Sequence, residues 1–364
     1  MPDTNSSSFS PENYRQTIAR LVTDAPFDID TELRVEGRPP SMSSSEFLTN
    51  KEQGDWAERI VFEAINNHSD EFVAIRYGRS ESLAAGDAGF AEFYANYQDE
   101  LNRIGKRPDL LVFRRTDISP NVDFEDGAFI NKAVAAIEVR SSSFLANKYA
   151  AFMSDRSRNA EEKCARIRNE ILKEPLRDAL KTKSPAILSL IENAAPETFR
   201  DLDFRLSSWV STPVLQNLSA RLRELKEQIK ILHKRDYLSI TPKIEDIALV
   251  NRWIQNFGVP HYYLQVFFDK AYVVSFREIL EIASDPAKED VVFSVEKDVK
   301  NQGKTTVKIN IQVGREIIGK IDMPGHKSVQ KELDRGRLLF YVTFEGGRGY
   351  LDAGVFHQKI IQHA

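Results

Sequence analysis

Three acids and one guanidinium stand at intervals that can build a reactive site. Pro108-Asp109 opens the apolar segment "RPDLLVFRR", and Glu138 and Arg140 stand two residues apart inside "AAIEVRSSSF". In an extended chain side chains alternate between faces, so Glu138 and Arg140 share one. Charges are seldom set into a buried strand unless they are paired or bind something. If the two segments pair as a hairpin, Asp109 and Glu138 converge at one rim of a sheet. Such oxygens attract a hard divalent cation, and Mg²⁺ prefers carboxylate and water to nitrogen or sulfur. Glu58, in "GDWAERIV", offers a third acid from a preceding helix, with Glu63 competing for the role. A plainer reading makes Glu138 and Arg140 an ion pair at a sheet edge and Glu58 a solvated helix residue.

The elements that must carry these residues follow from periodicity. "SSEFLTNKEQGDWAERIVFEAINNH" places Trp56, Ile60, Val61, Phe62, Ala64 and Ile65 at the spacing of an amphipathic helix. "EFVAIRYG" reads as a strand, and "GFAEFYANYQDELNRIG" as a helix closed by Gly105. The acid-bearing hairpin comes next. Residues from about 150 to 240 are charged and helical, with a stripe of Leu218, Leu222, Leu225, Ile229 and Leu232 in 4-3-4-3 spacing. That stripe fits an intramolecular helix pair or a dimer seam. Thr241 as N-cap, Pro242 as first helical residue and Gly258 after the last turn delimit a further helix. "HYYLQVFFDKAYVVSF" is the longest β-rich run, and the final seventy residues alternate as in a mostly antiparallel sheet, with "EGGRGY" as a hairpin turn. Residues 1–44 read as a poorly ordered arm or short turns, 45–285 as the core with its helical insertion, and 286–364 as a separate β-rich region.

Composition narrows the class. The 364 residues hold one cysteine, Cys164, so an internal disulfide is impossible and a cysteine-based zinc site is not expected. No apolar run is long enough to span a membrane, and the N-terminus lacks a secretory pattern, so the cytoplasm is the expected location. Net charge is −4, but it is uneven. Residues 1–100 carry 8 Lys+Arg against 19 Asp+Glu (−11), leaving 42 against 35 (+7) in the remainder. The stretch 221–243 balances at +4, seven basic residues against three acidic, and suits phosphate contacts. The six histidines show no metal-ligand spacing, and neither a Ser-His-Asp arrangement nor a phosphate-cradling glycine loop is present.

Pro108-Asp109 followed by Glu138-Val139-Arg140 resembles the PD-(D/E)XK nuclease signature, with arginine in the usual lysine place. "GDWAER" resembles the acidic first-helix motif of many of those enzymes. In these motifs the chain resembles the type II restriction endonucleases, and among them the AccI-like group; the motifs cover roughly residues 45–145 and 240–277. The resemblance implies an α/β (α+β) fold: a mixed central sheet flanked by helices, with a helical insertion and a C-terminal antiparallel β region. It implies Mg²⁺ held by Asp109, Glu138, the Val139 carbonyl and Glu58, with Arg140 stabilising charge on the scissile phosphate. Arginine sheds no proton at ordinary pH, so Lys148 in "LANKYA" is a candidate substitute for the missing lysine. Arg140, Ser141 and Lys243 are the candidate DNA contacts. The expected partners are double-stranded DNA, a second copy of the chain matching a palindromic site, and a DNA methyltransferase as genetic rather than stable partner in a bacterial host. The expected products carry 5′-phosphate ends. Two further readings are a structure-specific or repair nuclease of the same fold, and a DNA-binding protein without metal.

Overall fold

The central sheet draws its seven strands from both ends of the chain. The computed structural model describes residues 9–78, 83–118, 123–298 and 304–362. Two compact units divide the chain, one made of residues 1–146 with 239–364, the other of residues 147–238. No helix among the described residues is long and apolar enough to cross a membrane.

The larger unit begins with a helix where an arm was expected. Ser10 caps α1 (Pro11–Asp24), Pro11 supplies the first turn, and Ile18, Leu21 and Val22 are buried. That apolar stripe is the physical reason the segment folds. Next come α2 (Ser45–His68), β1 (Phe72–Arg76), α3 (Phe90–Ile104), β2 (Leu110–Arg114), the short α4 (Gly127–Ile130) and β3 (Ala135–Ser141). β2 and β3 pair antiparallel, with Leu110 opposite Ile137, as the acid-bearing hairpin requires.

The smaller unit holds α5 (Ala146–Ile171), which starts at the boundary, then α6 (Leu176–Lys183), α7 (Pro185–Asn193) and α8 (Pro213–His233). The leucine stripe lies on α8 and is buried within this unit, against Cys164, Ile167, Leu180, Ile191 and Phe199. It is an intramolecular seam.

The chain returns through β4 (Ser239–Ile240) and α9 (Ile244–Phe257) to a hairpin of β5 (His261–Val266) and β6 (Ala271–Ser275), followed by α10 (Phe276–Ala283). α9 starts later than the Thr241 cap predicts, because β4 and a bridge from Lys243 to Thr306 hold that segment extended. β3 and β5 run parallel, which demands a crossover, and α9 lies in it. The C-terminal stretch is not set apart from the core. β8 (Lys304–Asn310) pairs with β4 on one side and β7 (Phe293–Asp298) on the other, whereas β9 (Arg315–Ile321) joins the central sheet. β10 (Gly325–Glu332) and β11 (Leu338–Glu345) form a separate ribbon, and β12 (Gly349–Leu351) returns to β9. The central order is β1-β2-β3-β5-β6-β9-β12. "EGGRGY" is therefore a crossing between two sheets rather than a hairpin turn. Gly346 and Gly347 have positive φ there, and the Gly346 carbonyl accepts from Trp56 Nε1 (3.1 Å) and an Arg59 guanidinium nitrogen (2.7 Å) on α2.

Alternation sorts β3 cleanly. Ala135, Ile137 and Val139 join α2 residues Trp56, Ile60 and Ala64 in one apolar layer, while Glu138 and Arg140 point to the other face, where α9 lies.

Candidate active site

Glycine 105 sets the site's first residue in place. Its φ is +85°, and a Cβ there would stand 2.3 Å from the Leu249 carbonyl, so only glycine lets the chain pass this close to α9. The next N–H, of Lys106, donates to that carbonyl at 3.0 Å. From this turn Lys106 Nζ reaches Glu138 Oε1 at 2.6 Å and lies 3.8 Å from Asp246 Oδ2 in the first turn of α9. Arg140 closes the figure, its terminal nitrogen 2.7 Å from Asp246 Oδ2 and 3.2 Å from Glu138 Oε1. Two cations and two carboxylates thus alternate, and their charges cancel.

Asp109 and Glu58 lie outside that balance. The β2–β3 ladder ends at Leu110 opposite Ile137, and one step on, the Asp109 side chain takes the Val139 N–H at 2.6 Å. Tyr77 and Gly78 N–H groups donate to the Asp109 carbonyl at 2.9 and 3.1 Å, fixing its backbone. Burial, then Glu138 and Glu58, push the Asp109 carboxyl well above its ordinary pKa. Burial, then Asp55 and Glu138, push Glu58 up to about 7. Glu138 behaves in the opposite way. Burial raises it, but Lys106 and then Arg140 outweigh burial and hold it below the usual carboxylate value. Asp246 is held low by Lys106, Arg140 and Lys243 against the same burial penalty. One rim therefore carries two acids kept ionised and two that resist ionisation.

Glu58, Asp109, Glu138 and Arg140 lie close enough to act on one another's charge, and Lys243 acts on Asp246. Glu63 turns aside to Arg59 at 3.5 Å. Ser141 ends β3, half-buried, and Lys148 is exposed in the first turn of α5, in the helical unit. Much of the basic run 221–243 is internally matched: Arg221 to Glu170 and Glu224, Lys226 to Asp203, Lys230 to Glu227. Sequence reasoning missed Lys106, Asp246 and the wholly buried His261. Lys106 had a weak signal, a cation between a turn glycine and the Pro-Asp pair. Asp246 had none, since an acid in a first helical turn is explained by the helix dipole alone. His261, at the start of β5, lies near enough to feel Glu138, Lys106 and Arg140, and burial lowers its pKa to about 4.

Among the described residues, no group of three or more His, Cys, Asp or Glu side chains is arranged as a ready metal cage. Lys106 holds one Glu138 oxygen, yet the donor chemistry suits a hard cation. Among the described residues Glu138 Oε2 is buried without a hydrogen-bond partner, and Asp109 and Glu58 act electrostatically on the same carboxylate, further oxygens that a cation would favour in their charged form.

Clustered carboxylates at a strand rim, with a guanidinium at hand and a mixed sheet behind, make a centre suited to hydrolysis of an anionic substrate. The chain belongs to the AccI restriction endonuclease family, whose model matches residues 13–362. It is a type II site-specific deoxyribonuclease acting on double-stranded DNA. No curated protein and no solved structure matches it.

Proposed function

We propose that the enzyme is Mg²⁺-dependent, that its core is of the PD-(D/E)XK type, and that it cuts a short palindromic site as a homodimer to leave 5′-phosphate ends. The observation that carries this reading is a neutral ion square set beside two further acids, Asp109 and Glu58, whose ionisation the fold disfavours. A bound divalent cation would offset that repulsion and favour their charged form. Asp109, Glu138, Glu58 and the Val139 carbonyl would hold it. When bound, such a cation acidifies water and draws negative charge off phosphorus.

The chain's own residues then have separable tasks. Asp109 stays fixed by the Val139 N–H, so its second oxygen keeps a set direction. Lys106, whose side chain is only 18% exposed, keeps Glu138 ionised and aimed. Arg140, at 32%, is the more accessible of the two cations and stabilises charge on the scissile phosphate. Lys106, rather than Lys148, supplies the ammonium group that the arginine substitution removes from position 140. Ser141 and Lys243, flanking the same rim, contact the DNA backbone. A DNA methyltransferase protecting the same site is the expected genetic partner.

Plasmid DNA incubated with the protein and Mg²⁺ should give discrete fragments. Asp109→Asn and Glu138→Gln should each slow cleavage by about a thousandfold or more, the several kcal/mol that metal assistance supplies, while DNA binding in Ca²⁺ survives. Nicking that follows DNA structure rather than sequence, or near wild-type cutting by either variant, would overturn the assignment.

A further inference from the structure

We propose that the β10–β11 ribbon is the element that reads base sequence, lying in the major groove of the substrate. The proposal rests on the reading of this chain as a site-specific endonuclease. It is carried by the contrast between the ribbon's two faces.

One face is fastened to the body. Leu339, with Leu333 just beyond β10, is buried against Leu48 and Ala84; Lys331 Nζ pairs with Asp87 at 2.6 Å, and the Val342 N–H donates to Thr49 Oγ1 at 3.2 Å. Residues directly opposite one another share a face, and the register sets Gln330 against Phe340, Ser328 against Val342 and Glu332 against Leu338. At one end of this outer face Phe344 packs against Trp56 and Phe268, but toward the β10–β11 turn Gln330, Ser328 and Glu332 are exposed, with Phe340 at 58% and Leu338 at 46%. Among the described residues the ribbon pairs with neither of the other two sheets. A glutamine amide beside a bare phenyl ring is matched chemistry for an A·T pair, the amide bridging adenine N6 and N7 and the ring meeting the thymine methyl. A carboxylate such as Glu332 can accept from cytosine N4.

Dimensions agree. Two strands about 4.8 Å apart, with side chains about 10 Å across, fit a groove about 12 Å wide. The ribbon's anchor Thr49 and the rim acid Glu58 stand on one helix, nine residues or about 14 Å apart. Four base-pair steps of about 3.4 Å span the same length, so the ribbon would read bases within a few pairs of the cut. A second copy of the chain is the weaker occupant. Eight residues of ribbon offer about 27 Å by 10 Å, roughly a third of the 800 Å² a side that a stable interface needs.

The test uses the full-length protein and a duplex library with a randomised central block, scored by the sequences it cuts in Mg²⁺ and by those it retains in Ca²⁺. Gln330→Ala and Phe340→Ala should each lower cutting at the wild-type site by about 5- to 150-fold and flatten the preference at one or two positions. Melting temperature and binding to unrelated duplex should not move. An unchanged sequence profile in both variants would overturn the proposal, as would a shift from dimer to monomer with the profile intact. If the wild type cuts nothing, the cleavage reading fails alone: lost enrichment in Ca²⁺ by Gln330→Ala still supports the ribbon, and retained enrichment overturns it.

Discussion

The helical unit and the rim of the central sheet handle charge in opposite ways. In residues 147–238 the interior is uncharged and apolar but for Cys164 and Ser219, and the charges pair at the surface, as Arg221 does with Glu170 and Glu224. In the larger unit Lys106, Glu138, Arg140 and Asp246 are drawn together inside, next to two acids, Asp109 and Glu58, whose ionisation the fold disfavours. Surface pairs of the first kind contribute about 0–1 kcal/mol each. Interior charges of the second kind cost far more to desolvate than they return, so a fold keeps them for another reason. The helical unit follows the ordinary rules of burial, and the rim, the proposed seat of the chemistry, breaks them.

That contrast can be broken most directly at Lys106. Lys106→Met leaves Glu138 without its 2.6 Å partner and Asp246 with one cation fewer, so urea unfolding should show a loss of about 3–5 kcal/mol. Cleavage should fall with it. A loss no larger than that of a surface pair would mean the square is wetter than its burial implies. The helical unit answers with packing instead. Leu225 on α8 is fully buried, and Leu225→Ala should cost about 2–5 kcal/mol while leaving the metal and pH responses of the rim untouched. Calorimetry with and without Mg²⁺ separates the two effects.

How far each region was legible follows from the same difference. The α8 stripe was readable because helical packing repeats in sequence, and every member of it is buried where periodicity placed it. Glu138 was readable because charge inside an apolar strand is conspicuous in one dimension, whereas Asp109 was marked by the proline that enters β2 and Glu58 by its place in the preceding helix. Lys106 and Asp246 were not, since each looks ordinary beside its own neighbours and gains meaning only across the β3–α9 gap. The helix over 11–24 was hidden by the serine- and proline-rich residues before it, although Ile18, Leu21 and Val22 mark its buried side. Sheet membership was the least visible feature. Nothing local distinguishes β9 and β12, which complete the central sheet, from β10 and β11, which leave it.

A finer test separates the acids that the rim keeps ionised from those it does not. Glu58 has its pKa near 7 in the fold against an ordinary 4.5, so the stability linked to it is intact below 4.5 and is lost as pH rises through 7. In EDTA at pH 8, Glu58→Gln should therefore be more stable than wild type by about 1–3 kcal/mol, and the gain should vanish by pH 4.5. Mg²⁺ should shrink that gain at pH 8 by relieving the same repulsion. Urea titrations across this range decide it, and a variant that is destabilised at pH 8 would show that Glu58 is paired rather than repelled.

The smallest effect is expected at Arg221, and it calibrates the rest. Its guanidinium lies 3.1 Å from Glu170 and 2.7 Å from Glu224, distances as good as any at the rim, but its side chain is 36% exposed. Water then supplies most of what the carboxylates do, and holding a long side chain in place costs rotamer freedom. Arg221→Ala should change unfolding free energy by less than about 1 kcal/mol, with the difference shrinking further in 0.5 M salt. A loss matching that of Lys106→Met would show that ion-pair geometry governs stability in both regions, and burial would cease to explain why the rim differs.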